Sequence, residues 1–313
     1  MLSSFDEVPS RRSIERRQFR RLPLIVATLL VLASGRSARA VAYLGQTPPG
    51  EIPRVFAPGV VSRGNVHGRL VISPDSREIF WTTFDPATFT TQILAVRSAG
   101  EAWSKPEAPA FARNGKSQGP VFSRDGTKLY FWVDRGESWE ARVVERTAEG
   151  WSEPQSARVA PRSSASFTRS GDVFYSAEMA SKVWGSGIFT AQDAAEGPMH
   201  ARPLGPRINI EHGIDYTPYV SPDGSFLLFT SNRPAVGDKE EMHLQVSFRD
   251  REGEWSTPVR VTEIEARFPS LSPDGKLLFF CGDDGNIYWV AASILEGLRP
   301  ASQASPPTST PAP

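Results

Sequence analysis

The chain has 313 residues, 39% of them hydrophobic, enough to bury a substantial globular core. Lysine plus arginine (35) equal aspartate plus glutamate (35), so no net field draws the protein to nucleic acid or to an anionic membrane surface. Twenty-five glycines, 27 prolines and 8 tryptophans favour turns and short aromatic strands over long helices, and the expected class is all-β.

The N-terminus has the order of a secretory signal peptide. Arg11, Arg12, Arg16, Arg17, Arg20 and Arg21 precede an apolar stretch from Leu22 to Ala33, and small residues follow, ending in Ala38-Arg39-Ala40. The Ala-x-Ala spacing predicts cleavage after Ala40, so that residues 1–40 are removed. Arg16-Arg17-Gln18-Phe19 matches the centre of a twin-arginine signal, while Arg20 stands where that motif prefers an apolar residue. Twin-arginine and general secretion both remain open, and either places the product in the periplasm or outside the cell. The apolar run is shorter than the roughly 20 residues that cross a bilayer, so no stable membrane insertion is expected after cleavage.

Next comes a repeat. Ser73-Pro74-Asp75-Ser76, Ser123-Arg124-Asp125-Gly126, Thr168-Arg169-Ser170-Gly171, Ser221-Pro222-Asp223-Gly224 and Ser272-Pro273-Asp274-Gly275 are copies of one phrase, the third degenerate. Each leads into an aromatic run: Ile79-Phe80-Trp81, Leu129-Tyr130-Phe131-Trp132, Val173-Phe174-Tyr175, Phe226-Leu227-Leu228-Phe229 and Leu277-Leu278-Phe279-Phe280. The period of roughly 45 to 53 residues suits a propeller blade. Proline presets φ for the second position of a type I turn and glycine takes the left-handed position that closes a hairpin, so each copy reads as a β-hairpin.

Trp103-Ser104-Lys105-Pro106, Trp151-Ser152-Glu153-Pro154 and Trp255-Ser256-Thr257-Pro258 recur between the turns. Proline is tolerated where no ladder donor is needed, which assigns these segments to outer edge strands, and tryptophan is large enough to plug a gap between blades. The last copy lacks such an element. The segment from Pro53 to Pro58 stands in the right register to supply it, so it is expected to complete the last blade and close the ring. The predicted fold is therefore a β-propeller of five four-stranded blades over residues 41–298, with six as the alternative count. Residues 299–313, rich in Pro, Ser, Thr and Ala, read as a disordered tail.

These repeats resemble the WD40-like, TolB-type propeller repeat known as PD40. The resemblance spans roughly residues 42 to 298 and includes the ends, Tyr43-Leu44-Gly45-Gln46 and Ile287-Tyr288-Trp289-Val290. It implies the fold of an exported single propeller. TolB carries an additional α/β domain and prolyl-oligopeptidase-like enzymes an additional hydrolase domain, and this chain has room for neither, so their activities are not implied.

Few local motifs bear chemistry. Gly115-Lys116-Ser117 lacks the first glycine of a phosphate-binding loop, Ala110 standing in its place. His67, His200, His212 and His243 have no short metal-ligand spacing, and Asp283-Asp284-Gly285-Asn286 lacks the alternating oxygens of a calcium loop, so no metal and no cofactor is expected. No Gly-x-Ser-x-Gly elbow occurs. Cys281, the only cysteine, follows an apolar run and reads as a strand thiol with no chemistry.

Propellers commonly bind ligands where the loops entering the innermost strands converge. By repeat register those positions are His67, Gln118, Ser164, Asp215 with Tyr216, and Arg267, with His212 in the same entry as Asp215. His67, Gln118, His212, Asp215, Tyr216 and Arg267 are thus the candidate ligand-binding residues. Within this set Asp215, His212 and Arg267 are the constellation expected to meet. The function this suggests is a non-enzymatic module that recognises a peptide, a glycan or an envelope protein. The alternative is a small carbohydrate-active hydrolase or lyase, for which Asp215 and Glu265 are the acidic residues near the entries.

Overall fold

A computed structural model describes residues 42–99, 102–113, 115–123, 125–157, 164–179, 185–192, 199–233 and 241–301. The expected signal peptide, all of the tail beyond residue 301, and Arg124 lie outside the described residues.

The chain enters through a short left-handed turn at Ala42–Gly45 and the two-residue strand β1 (Arg54–Val55). Four-stranded antiparallel units follow. The first holds β2 (Val71–Ile72), β3 (Glu78–Asp85), β4 (Thr90–Ala99) and β5 (Ala102–Trp103). The second holds β6 (Ser117–Phe122), β7 (Lys128–Asp134) and β8 (Trp139–Thr147), its edge split into β9 (Gly150–Trp151) and β10 (Gln155–Ser156). The third holds β11 (Ser166–Phe167), β12 (Asp172–Glu178), β13 (Ser186–Gln192) and β14 (Met199–Pro203). A fourth starts with β15 (Asp215–Val220), β16 (Phe226–Ser231) and β17 (His243–Phe248), and the long strand β18 (Val259–Leu271) belongs to two units. Its first half pairs with β17 and its second half with β19 (Leu277–Gly282). After β20 (Ile287–Ala291), a 3-10 turn at Ala292–Leu298 packs Leu295 into the core.

The expected closure is present. β1 pairs antiparallel with β20, Arg54 opposite Trp289 and Val55 opposite Tyr288, and the Phe56 N–H donates to the Ile287 carbonyl at 2.7 Å. The first and last units then share one aromatic cluster, in which Phe56 meets Phe279 edge-on at 5.2 Å and Trp289 at 5.0 Å.

The aromatic runs are buried along most of their length, Tyr130 and Phe226 only in part, because each strand is packed on both faces. Successive side chains of a strand point to opposite sides. Ile79 and Trp81 accordingly join the cluster shared with the last unit, while Phe80 between them joins the cluster shared with the second. Leu277, Phe279 and Cys281 face the first unit in the same way, and Leu278 and Phe280 face the fourth. Phe174 and Ile188 of the third unit pack with Leu227 and Phe229 of the fourth, and the Tyr130 and Phe167 rings meet between the second and third at 6.1 Å. Neighbouring units sharing their cores, with the first against the last, make a β-propeller.

Four of the five turn phrases are built by the same bonds. Ser73, Ser123, Ser221 and Ser272 each donate from the hydroxyl to the aspartate two residues on, at 2.5–2.6 Å, and accept the N–H that opens the next strand at 2.9–3.0 Å. In the degenerate copy Thr168 bonds Ser170 instead. The fourth turn residue has a left-handed φ: 70° at Gly126, 73° at Gly224, 71° at Gly275 and 58° at Ser76.

In the edge phrase the serine hydroxyl replaces a ladder carbonyl. Ser104, Ser152 and Ser256 accept the N–H of Arg97, Glu145 and Phe248 at 3.0–3.1 Å, while their own N–H groups donate back to the same residues. The proline that follows divides the edge into short pieces, as β9 and β10 illustrate. Trp151 packs back on Phe80 of the preceding unit at 6.3 Å, and Trp255 on Phe174 at 6.1 Å.

Candidate functional site

The innermost strands of the units line the axis, and the axis has two ends: the entries to these strands and the Ser-Pro-Asp-Gly turns. A bulge separates them. The pairing register shifts between Gln118 and Val121, between Tyr216 and Tyr219, and between Arg267 and Ser270. Gly119, Thr217 and Phe268, all with left-handed φ, occupy those shifts. A bulge re-aims the side chains beside it. The Gly119 N–H is taken by Thr82 Oγ1 at 3.0 Å and the Thr217 N–H by Ser176 Oγ at 2.8 Å, each from the preceding unit.

At the entry end three of the six candidate residues come together. His67 lies between Phe84 (5.6 Å) and Phe268 (5.8 Å), and Tyr216 meets Phe268 edge-on at 6.3 Å. Arg267 pairs with Asp283, Nη2 to Oδ1 at 3.0 Å. Burial, reinforced by the Arg267 charge, lowers the His67 pKa, and burial pushes the Tyr216 hydroxyl up to about 12 against the pull of Arg267. Both rings are uncharged at neutral pH. Cys281 nearby is pushed up to about 11, chiefly by burial, and its Sγ–H meets the Val66 carbonyl at 3.4 Å. It is a packed thiol.

The other three candidates sit apart from this cluster. Asp215 is fully buried and accepts from Arg233 Nη2 (2.9 Å), Ser231 Oγ (2.7 Å) and the Ile210 N–H (2.9 Å). His212 is exposed and Gln118 is half-buried opposite Trp132. Where Asp215, His212 and Arg267 were expected to meet, the carboxylate bound to Arg267 is Asp283 and the imidazole in its field is His67.

The turn end holds a cavity of about 850 Å³. Every unit lends it residues of its innermost strand or of the entry to that strand: Arg69 and Val71 from the first, Val121 from the second, Ala165 and Ser166 from the third, Tyr219 from the fourth, Ser270 and Leu271 from the last. The turns form its rim through Pro74, Ser123, Arg169, Pro222 and Pro273. None of the six candidate residues lines it.

Arg69 is 4% exposed. Its Nη1 donates to the Ala165 carbonyl at 2.9 Å and its Nη2 to the Pro218 carbonyl at 2.7 Å, so one side chain ties the first unit to the third and the fourth. Among the described residues its Nε has no hydrogen-bond partner. Burial lowers its pKa to about 10, and the guanidinium stays charged at neutral pH. Tyr219, whose hydroxyl burial pushes up to about 12 against the opposing pull of Arg69, lies in its field.

Two signals in the sequence point to this end. Arg69 holds the repeat register of Gly119, Ser164, Thr217 and Phe268, where a long cation is unusual. Arg169, like Arg124, replaces the turn proline of the other copies. Among the described residues no three His, Cys, Asp or Glu side chains gather as metal ligands would, and no helix is long and apolar enough to cross a membrane.

No family model matches the chain, and no curated protein matches it. Among solved structures it is similar to a putative TolB from Agrobacterium tumefaciens, with 16% identity, 71% of each chain covered and a TM-score of 0.46. It is similar also to XC5397 of Xanthomonas campestris, described as a gluconolactonase, with 12% identity, 78% of this chain and 97% of that chain covered and a TM-score of 0.45. A thermostable family-43 glycoside hydrolase matches with 10% identity, 78% and 90% coverage and a TM-score of 0.47.

Proposed function

We propose that the chain is an exported binding module, a five-bladed propeller of PD40-type repeats that takes its ligand in the axial cavity on the turn face. The cavity lined by all the innermost strands carries this reading, because concave sites of a few hundred Å³ are where ligands are buried. A peptide end, a glycan or a projecting segment of an envelope protein all suit its size. The hydrolase alternative needs two carboxylates facing a sugar. Asp215, one of its two acidic residues, has its oxygens engaged by Arg233, Ser231 and the Ile210 N–H.

The reading is tested by a thermal-shift screen of the exported protein against glycans, short peptides and divalent ions, since a ligand of the folded state raises the melting temperature by mass action. A shift abolished by Pro273→Trp, which narrows the rim, supports the turn-face cavity. A shift that survives this change and is lost in Arg267→Ala moves the site to the entry end. Cell fractionation with N-terminal sequencing tests the expected cleavage after Ala40, and a product that keeps residues 1–40 overturns it.

A further inference from the structure

We propose that the cavity holds a single carboxylate on the guanidinium of Arg69, so that its ligand is an organic acid group at the end of an apolar or peptide body. This inference rests on the binding reading above.

An arginine cannot shed its proton in a protein, so a buried one must be paired or solvated by dipoles. Among the described residues no carboxylate bonds Arg69; its only acceptors are the carbonyls of Ala165 and Pro218. Carbonyl dipoles offset part of the charge and leave a net positive centre at the floor of the cavity. A guanidinium has five N–H donors in a planar fork, and the unpartnered Nε–H belongs to that fork. A carboxylate reaching the floor gains the charge; the Nε–H, unpartnered but closed to solvent, joins it only when the side chain turns toward the cavity.

The walls and rim then narrow the class. Val71, Ile72, Val121, Phe167 and Leu271 give the cavity apolar sides, which suit a carbon-bearing ligand better than inorganic phosphate. Asp223, Asp274 and Glu296 stand on the lining alongside Arg169 and Lys276. A polyanion would meet those carboxylates, whereas one charge directed at the floor does not. The carboxylate can come from a small organic acid or from the C-terminus of a peptide; the chemistry at Arg69 is the same.

Matched acid and amide pairs test this on the full exported protein. The probes are 3-phenylpropionate with 3-phenylpropionamide, for a small acid, and trialanine with trialanine amide, for a chain end, each titrated calorimetrically at constant ionic strength. The expected result is that at least one acid binds, and binds about tenfold or more tightly than its amide; the pair that responds identifies the source. Arg69→Gln should abolish the preference. Because Arg69 also ties units together, Pro273→Trp on the exposed rim is the second variant, expected to block acid binding while the melting temperature of the free protein stays unchanged. The inference is overturned if acid and amide bind alike, if neither acid binds, or if acid binding survives Pro273→Trp. A neutral glycan that binds and is blocked by Pro273→Trp would leave the binding module standing and remove the carboxylate.

Discussion

Arg54 stands opposite Trp289 in an antiparallel pair, so the beginning of the described chain is a strand of its last sheet. This pairing covers the open edge of β20 and brings Phe56, wholly buried, against Phe279 and Trp289. With Cys281 the only cysteine, no intramolecular disulfide can hold the ring shut, and packing at this seam must do so.

Phe56→Ala should therefore be among the most damaging single changes. Truncating a buried phenylalanine costs about 3–5 kcal/mol, and in a chain of this size each kcal/mol lowers the melting temperature by about 2 °C or more. Thermal denaturation followed by tryptophan fluorescence checks it. An unchanged melt would mean that the N-terminal strand does not hold the ring.

Asp215, which register places at a strand entry, behaves as a structural group. Removing its charge leaves Arg233 half of a buried pair, and such losses cost about 3–5 kcal/mol. Asp215→Ala is expected to lower the melting temperature strongly while leaving the affinity of any cavity ligand within about twofold in the fraction that folds. A large loss of affinity with an unchanged melt would return Asp215 to the binding site.

The turn and strand phrases were legible because each maps onto one local physical need: a φ sign at Gly126 and Gly275, a hydroxyl acceptor at Ser73 and Ser123, a doubly packed strand at Leu277 to Phe280. Closure by Pro53 to Pro58 was legible as a gap in the repeat. What register alone misses is the bulge at Gly119, Thr217 and Phe268, because a one-residue shift leaves no mark on the hydrophobic pattern yet changes which side chains face the axis. The pairing of Arg267 with Asp283, and the burial of Arg69 against carbonyls from two other units, are long-range outcomes of packing. Arg169 was visible as a departure from the turn proline, but a departure acquires meaning only once the turns are seen to ring a cavity.

The turn aspartates predict the response to acid. Asp125 is held down to about 2 by the Ser123 hydroxyl, the Thr127 N–H and the Thr127 hydroxyl. Asp75 and Asp223 are also lowered, burial opposing and the same kind of hydrogen bonds prevailing. A carboxylate whose folded pKa lies below its unfolded value of about 3.9 contributes stability above that value and loses it as pH falls through the folded one. The melting temperature should thus decline between about pH 4 and pH 2. Asp125→Ala should lower the plateau near pH 7 and make the acid decline shallower, as melts recorded across that range will show. An unaltered acid limb in the variant would remove the turn aspartates from the explanation.

Gly126 and Gly275 separate two costs that the repeat otherwise confounds. Both have left-handed φ, 70° and 71°, and an alanine at either position bears the same conformational penalty of about 1–2 kcal/mol. A Cβ at Gly275 meets nothing within 4 Å, whereas at Gly126 it would lie 2.3 Å from Cγ of Pro74, in the turn of the preceding unit. Forcing an atom into a filled contact adds about 1–3 kcal/mol. Gly126→Ala is therefore expected to melt several degrees below Gly275→Ala, and adding Pro74→Ala should restore part of the difference by removing the atom in the way. Equal melts for the two glycine variants would show that the turns of adjacent units do not touch, and with that the rim of the cavity would open.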